Sequence, residues 1–242
     1  MRKVSCGTWR NTFHKMTFIQ EFFDFFIPRN CPSCKSQLDL TEEVICRKCL
    51  LRLKKVSDER ILTEFQEKFK KERIISDFTS LYYFEKDKEV HNIIHELKYN
   101  GKFRIGFYLG VLMARNLETK IRSWNIDYII PIPLHHIRRA ERGFNQSYFI
   151  AKGIKSVLNI PIVANLLKRR KITDSQTHLS IIERRENVKD AFMLKKNKKL
   201  SGKNILLLDD VITTGATISE CGKLLISRGA SKVFAASVAL AE

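Results

Sequence analysis

Hydrophobic positions along this chain form two kinds of pattern, short apolar runs and stripes at helical spacing. The apolar runs predict strands at Phe78–Phe84, Tyr128–Ile132, Val163–Leu167, Ile205–Leu208 and Val233–Ala239. The stripes between them predict helices at Val90–Leu97, Ile105–Ile121 and Gly215–Ser227. Strands that alternate with helices are typical of a parallel α/β sheet with helices on both faces.

The first third of the chain has a different pattern. Residues 1–15 predict a poorly ordered extension, and Phe18–Ile27 carries phenylalanines at helical spacing. Such a helix most often packs on its own domain, with contact to a membrane surface or a partner as the alternative. Leu50–Arg73 is charged and helix-prone. We therefore expect an extension at 1–15, a helix and small module at 16–54, a linking helix at 55–77 and an α/β domain at 78–242.

The segment ILLLDDVITTGATI, Ile205–Ile218, combines a buried strand with polar groups that suit a ligand. Asp209 and Asp210 follow the apolar run at the carboxyl end of the strand, where open α/β sheets bind ligands. The loop after them is small and rich in hydroxyls, and comprises Thr213, Thr214, Gly215, Ala216 and Thr217. It leads into a helix, whose N-terminal amides bind anions. Carboxylates for sugar hydroxyls and amides for a phosphate together suit a phosphorylated ribose.

Two other interpretations fit the same segment. One is a buried strand followed by an Asp-rich turn and a Thr-capped helix without a ligand. The other is a Walker B strand, which requires a partner loop of the form GxxxxGK[ST]. The Gly-Lys pairs at 101, 202 and 222 all lack the earlier glycine of that loop.

A second strand end carries clustered arginines. The predicted strand Tyr128–Ile132 ends in prolines, and the following turn contains Arg138, Arg139 and Arg142. Guanidinium groups above a strand end suit a pyrophosphate, with a capped loop of solvated arginines as the alternative. Because both strands would be parallel, Arg138 and Arg142 would face the same sheet edge as Asp209.

Four of the six cysteines form two CxxC pairs, namely Cys31, Cys34, Cys46 and Cys49. Two such pairs at this separation can place four thiolates around one tetrahedral Zn²⁺, and redox dithiols or free thiols are the alternatives. With four cysteine ligands no coordination position stays open, so the metal would be structural. His91 and His95 are four residues apart on a predicted helix, but Asn92 stands where the HExxH zinc motif has glutamate.

The chain has 242 residues and a formal net charge of +18, which favours polyanions such as phosphate ligands, nucleic acid or anionic membrane surfaces. Part of the excess lies at Lys168–Lys171 and Lys195–Lys199, and a solvated surface is the alternative explanation. No segment reaches the ~18 apolar residues of a membrane span, and the N-terminus lacks the apolar core of a secretory signal. We expect a cytoplasmic protein, with peripheral contact at the inner membrane face left open.

The segment around Asp209 resembles the phosphoribosyl-pyrophosphate (PRPP) loop of type I phosphoribosyltransferases. The whole chain resembles the ComF family, phosphoribosyltransferase-like proteins associated with natural competence. Five pieces carry this resemblance in the family's order: FIPRNCPSC, LKYNGK, PIPLHHIRRAERGFNQS, RRKITDSQTHLSIIERRENVKDAF and LLLDDVITTGAT. They cover nearly all of Phe18–Ala239.

The resemblance implies a type I phosphoribosyltransferase-like domain behind a small zinc-ribbon-like module. It implies that Asp209 and Asp210 bind the ribose of PRPP with Mg²⁺, and that Thr213–Thr217 hold the 5′-phosphate. The basic segment Arg169–Lys189 would close as a lid, with Gln176, Arg184 and Arg185 as candidates. The family role implied is DNA uptake, next to incoming single-stranded DNA and a DNA-translocating helicase. Two classes stay open: a transferase with unknown acceptor, and a non-catalytic module that binds single-stranded DNA and the helicase.

Overall fold

The computed structural model describes residues 29–171, 188–195 and 200–241. Its contacts divide the chain into two compact units, Met1–Arg52 and Leu53–Glu242. The expectations for residues 1–15, for the helix Phe18–Ile27 and for the lid candidates Gln176, Arg184 and Arg185 lie outside the described residues.

The first unit is a small module built on tight turns. Asn30 and Gln37 form an antiparallel bridge, and Leu38 N–H donates to the carbonyl of Arg29. Between them Lys35 adopts a left-handed backbone with φ of 64° and donates to the carbonyl of Cys31. A short helix, α1 (Arg47–Arg52), follows. The described part of this unit, residues 29–52, is therefore built from turns and one short helix.

The second unit is an α/β domain. Its strands are β1 (Asp77–Phe84), β2 (Tyr128–Pro131), β3 (Leu167–Arg169), β4 (Phe192–Leu194), β5 (Asn204–Ile212) and β6 (Lys232–Ala241). Its helices are α2 (Asp58–Phe65), α3 (Glu89–Tyr99), α4 (Phe103–Asn116), α5 (Glu118–Ser123), α6 (His136–Arg142), α7 (Gln146–Leu158) and α8 (Ala216–Ile226). A four-stranded parallel sheet has the order β1-β6-β5-β2, and β3 and β4 form a separate antiparallel ribbon.

Helices cover both faces of the sheet, as the alternating pattern predicted. Ile205 and Leu207 of β5 lie in one core cluster with Ile218 and Leu225 of α8 and with Ile61 of α2. The intervening residues of β5 are also buried, because α3, α4 and α7 pack together over the sheet. The predicted α/β class is therefore confirmed. Within the described residues, no helix is long and apolar enough to cross a membrane.

The helices α4 and α7 cross at unusually short range. A Cβ at Gly110 would collide with the carbonyl of Ile150, and one at Gly153 would collide with the carbonyl of Phe107. Glycine at both positions lets the two backbones touch, which fixes the start of α7 relative to β5.

Three predicted elements differ from the structure. The linking helix is interrupted, because residues 53–56 run along the edge of β1 and Ser57 then caps α2, which continues as a π-helical turn at Gln66–Lys70. Ile105–Ile121 is two helices with a break at Leu117, whose φ is −113°. The strand expected at Val163–Leu167 lies later, at β3, because its partner is β4 rather than the main sheet.

Candidate functional site

The carboxylate pair lies where two parallel strands stop side by side. Pairing between β2 and β5 ends at Pro131 opposite Leu208, whereas β5 continues to pair with β6 as far as Ile212. The sequence predicts Asp209 and Asp210 at the end of β5. In the structure they lie inside this strand, because its pairing with β6 continues beyond them. They still lie at the carboxyl edge of the sheet, because β2 ends just before them.

The two carboxylates have different partners. Ser147 Oγ at the start of α7 donates to Asp209 Oδ1 over 3.0 Å, and the backbone N–H of Asp210 donates to the same oxygen over 2.9 Å. Asp210 Oδ2 lies 3.1 Å from Lys98 Nζ in the last turn of α3. One carboxylate thus accepts neutral hydrogen bonds and the other pairs with a cation.

The two environments move the acidities in opposite directions. Burial, together with the charge of Asp210, raises the pKa of Asp209 to about 7. Burial also works against ionisation of Asp210, but the Lys98 ammonium, a hydrogen bond with Asp209 and the charge of Arg142 together outweigh it and lower the pKa of that carboxyl. The pair therefore carries one firm negative charge and a second that is acquired near neutral pH, with the two titrations coupled.

The loop after β5 forms a turn that ends at the N-terminus of α8. Gly215 has a φ of 74°, the left-handed region that favours glycine. A Cβ there would lie 2.7 Å from the ring of Phe69, which packs beneath the loop. Thr214 Oγ1 accepts from Ala216 N–H, and Ser219 N–H donates to Gly215 in the first helical bond. The preceding amides have no partner within the helix and are suited to an anion.

The predicted arginines lie on α6 and its C-terminal end. Arg142 Nη1 donates to Gln146 Oε1 over 3.3 Å, and its guanidinium lies 5.5 Å from the ring centroid of Tyr99. Arg138 pairs with Glu141 at 3.4 Å. Arg142 Nε and Gln146 Nε2 are buried without a hydrogen-bond partner, so two donors remain for a ligand.

Further members of the site come from segments that the sequence reasoning did not assign to it. The guanidinium of Arg169 on β3 interacts electrostatically with Asp209, Arg138 and Arg142. Lys98 and Ser147 contact the carboxylates directly. Lys98 belongs to the LKYNGK piece and Ser147 ends the PIPLHHIRRAERGFNQS piece, but nothing in their local pattern indicates that they reach β5.

The loop between β2 and α6 is held from two sides. Asn145, the residue before α7, donates from Nδ2 to the carbonyl of Ile132 over 2.9 Å and accepts from Ser147 N–H. His135 is buried, with Nε2 3.2 Å from the carbonyl of Arg170. These bonds tie α6 to both the sheet edge and the ribbon, which fixes the arginines near Asp209.

The four cysteines of the first unit are brought together as predicted. Their sulfur atoms all lie within 4.8 Å of one another, and Cys31, Cys46 and Cys49 are buried. Backbone amides donate toward sulfur from Cys46 to Cys31 and from Cys49 to Cys46. Burial raises the pKa of the Cys49 thiol to about 12, so that a thiolate there needs a cation beside it. Four sulfur donors at these separations fit a metal such as zinc.

The other candidate ligands do not assemble in this way. Among the described residues, the four cysteines are the group of three or more side chains that could hold a metal. His91 and His95 contact each other with ring centroids 6.3 Å apart, and the His95 ring is tilted against that of Tyr99 with centroids 4.8 Å apart. Cys221 is buried within the core cluster.

Comparison with known proteins gives a consistent picture. The family model "Phosphoribosyl transferase domain" matches residues 144–241. Competence protein F of Haemophilus influenzae is 36% identical over 54% of this chain and 61% of its own length. Competence protein ComFC of Bacillus subtilis is 26% identical over 82% of this chain and 72% of its own length.

A crystal structure of adenine phosphoribosyltransferase aligns with a TM-score of 0.39 at 17% identity, over 63% of this chain and 75% of that one. The chain covers less than two thirds of the length of the first curated relatives it matches, for example 63% of DNA utilization protein YhgH of Escherichia coli O157:H7. The parallel domain and the four-cysteine module thus occur in a chain that is similar to competence proteins F and ComFC and to DNA utilization protein YhgH.

Proposed function

We propose that this chain binds PRPP with Mg²⁺ at the sheet edge formed by β2 and β5. The observation that carries the proposal is the conjunction of Asp209 and Asp210 with a glycine-containing turn at the N-terminus of α8. Around them stand three arginines and a lysine. Carboxylates suit ribose hydroxyls, a helix N-terminus suits a monophosphate, and guanidinium groups suit a diphosphate.

Each part of the ligand would then have its own partner. Asp209 and Asp210 would accept from the ribose 2′- and 3′-hydroxyls, and Thr213–Thr217 would hold the 5′-phosphate. Arg138 and Arg142 would bind the pyrophosphate. Asp209 and Asp210 would also hold Mg²⁺, which would neutralise part of the negative charge of the ligand. If a nucleophile attacks the anomeric carbon, these groups would stabilise an oxocarbenium-like state and the departing pyrophosphate.

Calorimetric titration with PRPP, with and without Mg²⁺, tests the proposal. We expect saturable binding that needs Mg²⁺ and is lost in the double variant Asp209→Asn/Asp210→Asn. Glu118→Gln is the matched control, because Glu118 is an exposed carboxylate paired with Arg122 on α5 and should leave binding unchanged. The absence of PRPP binding in a folded, zinc-loaded protein would refute the proposal.

Transfer is a separate step from binding. The acceptor would be sought by measuring pyrophosphate release from PRPP in the presence of nucleobases, amines and nucleic acid. Release that depends on both an acceptor and Asp209 would make the chain a phosphoribosyltransferase. PRPP binding without release for any acceptor would favour a binding module that uses the same fold.

Zinc and competence form the second part of the proposal. Cys31, Cys34, Cys46 and Cys49 would bind one structural Zn²⁺, whose loss would unfold the module. Relatives named competence protein F, competence protein ComFC and DNA utilization protein YhgH support a role in competence, in which the chain would act in DNA uptake. A deletion strain tested for transformation, and a pull-down against the helicase of the uptake machinery, would test that role and that partner. Membrane fractionation would test contact with the inner membrane face.

Binding of single-stranded DNA is the second candidate function, and an exposed aromatic surface favours it. Tyr99, Phe103 and Phe107 are 57%, 49% and 40% exposed. Lys152 Nζ lies 5.6 Å from the ring centroid of Phe149, which in turn contacts Phe103. Aromatic faces beside cations suit stacked bases and a phosphate backbone.

Fluorescence anisotropy with a labelled oligonucleotide would test this candidate. We expect affinity to fall steeply with salt and to show little sequence preference. Tyr99→Ala and Phe103→Ala should weaken binding, whereas Leu62→Ala, an exposed apolar residue on α2, should not. If the double variant of Asp209 and Asp210 loses PRPP but keeps DNA, the two sites are distinct.

A further inference from the structure

Lys98 contacts the carboxylate of Asp210, which a sugar ligand or a cation would also bind. Its ammonium is 3.1 Å from Asp210 Oδ2, and only 12% of the Asp210 side chain is exposed. A carboxylate that deeply buried is costly unless a positive charge stands beside it. The ammonium group of Lys98 is therefore the counter-ion of Asp210.

A divalent cation and Lys98 would compete for this position. Mg²⁺ binds carboxylate oxygens at about 2.0–2.1 Å and keeps an octahedral shell of other oxygens. An ammonium 3.1 Å from the same oxygen fills part of that shell with a like charge. As long as Lys98 stays on Asp210, the pair is a poor site for a free metal ion.

Lys98 is also positioned to leave. It belongs to the last turn of α3, and the next residues are the cap Asn100 and Gly101, whose φ is 65°. Its side chain is 24% exposed, so its ammonium end can reach a ligand at the site. Its neighbour Tyr99 contacts Arg142, so the end of α3 meets the group proposed for the pyrophosphate. A diphosphate bound by Arg142 would offer the ammonium several oxygens near its present one.

We propose that Lys98 is an exchangeable counter-ion: it keeps free divalent cations off Asp209 and Asp210, and it moves to the diphosphate when the sugar ligand arrives. The second half rests on the proposed function. Metal would then enter the site with the diphosphate and not before it. Asp210 would become free for the ribose hydroxyls and the cation at the same moment.

Binding of Mn²⁺ alone tests the first half without any sugar ligand. The zinc-loaded protein would be titrated at about pH 8, where both carboxylates ionise, and free Mn²⁺ would be followed by electron paramagnetic resonance. Lys98→Met should bind Mn²⁺ at least about tenfold more tightly than the unmodified protein, a difference of about 1.4 kcal/mol. Lys98→Arg keeps the charge and should still exclude the metal. The matched control is Lys102→Met, because Lys102 pairs with Glu96 at 2.7 Å and should change nothing.

The triple variant Lys98→Met/Asp209→Asn/Asp210→Asn shows whether the additional Mn²⁺ binds at these two carboxylates. It should lose the Mn²⁺ affinity that Lys98→Met gains. If Lys98→Met is folded and gains no Mn²⁺ affinity, or if the gain survives in the triple variant, the counter-ion role is wrong.

PRPP titration in the presence of Mg²⁺ tests the second half. Lys98→Met should bind PRPP at least about tenfold more weakly, because the ammonium contact to the diphosphate is lost. If Lys98→Met binds PRPP as tightly as the unmodified protein or more tightly, Lys98 does not move to the diphosphate. If the unmodified protein does not bind PRPP but Lys98→Met still gains Mn²⁺ affinity, the proposed function fails and the counter-ion role stands.

Discussion

The pKa of Asp209 gives a test of the site that needs no ligand. Replacing Asp209 by asparagine keeps an oxygen for the hydroxyl of Ser147 and removes a charge whose ionisation burial opposes. A carboxyl with a raised folded-state pKa contributes stability that is present below its unfolded pKa and lost as pH rises through its folded pKa. For Asp209 that window runs from 3.8 to about 7. We therefore expect Asp209→Asn to be more stable than the unmodified protein at about pH 8.

The size of the effect follows from the same two pKa values. Each tenfold difference in acidity is worth about 1.36 kcal/mol, so the interval from 3.8 to about 7 sets a ceiling of about 4 kcal/mol. Part of this interval comes from the charge of Asp210 and not from burial, and the two acids titrate together, so the gain on removing Asp209 alone is smaller than the ceiling. We expect Asp209→Asn to gain at least about 1 kcal/mol in free energy of unfolding at about pH 8. The gain should shrink as pH falls toward 4.

Urea unfolding followed by tryptophan fluorescence measures this gain. The chain has two tryptophans, Trp9 and Trp124. A Trp9→Phe background leaves Trp124, which stacks on Phe234 with ring centroids 4.9 Å apart, as the reporter of the α/β unit.

Asp127→Asn is the control of opposite sign. The hydrogen bond from Lys203 lowers the pKa of Asp127, whose stabilisation is present above its unfolded pKa and lost as pH falls. That variant should be less stable at neutral pH. If Asp209→Asn is no more stable than the unmodified protein at about pH 8, or if its advantage does not grow with pH, the assigned burial of this carboxylate is wrong.

Three further predictions concern the metal module and the glycines. Purified protein should contain one zinc per chain by atomic absorption, and Cys31→Ser should lose it; a variant that keeps both zinc and the fold of the module would count against four-cysteine binding. Gly110→Ala and Gly153→Ala should each lower the free energy of unfolding by about 1–3 kcal/mol because two helix backbones would be forced apart, whereas Ser156→Ala on the exposed face of α7 should change it little. Gly215→Ala should lower the free energy of unfolding by about 1–3 kcal/mol, because alanine is strained in the left-handed backbone conformation of this position. The same variant should weaken PRPP binding in the calorimetric assay. Unchanged affinity would place the 5′-phosphate elsewhere.

The parts of the site that the sequence predicted are local in the chain. The apolar run before Asp209, the small loop after it and the spacing of the four cysteines each depend on neighbouring residues. The predicted parallel pairing of β2 and β5 also places their carboxyl ends at one edge of the sheet, so that Arg142 and Asp209 lie at the same edge. These features are fixed by periodicity and turn chemistry, which a sequence displays directly.

The remaining parts depend on contacts between distant segments. Lys98 reaches Asp210 and Ser147 reaches Asp209 because α3 and α7 pack over the same sheet, and no local pattern records that packing. The pairing of β3 with β4 likewise joins residues on either side of a long basic segment. The break at Leu117 and the edge run before Ser57 reflect tertiary packing that overrides helix propensity.

The asymmetry of the carboxylate pair connects these contacts to function. A buried acid and a partly buried acid next to each other on one strand oppose folding, and a chain selected for stability alone would place apolar residues there. Here Asp210 is kept ionised by Lys98, while Asp209 is supported by a serine hydroxyl and a backbone amide. An incoming cation with its anionic ligand would satisfy both acids at once and release Lys98. On the proposed function, the site would be less stable empty than filled, which is the electrostatic arrangement expected where a protein binds a charged ligand.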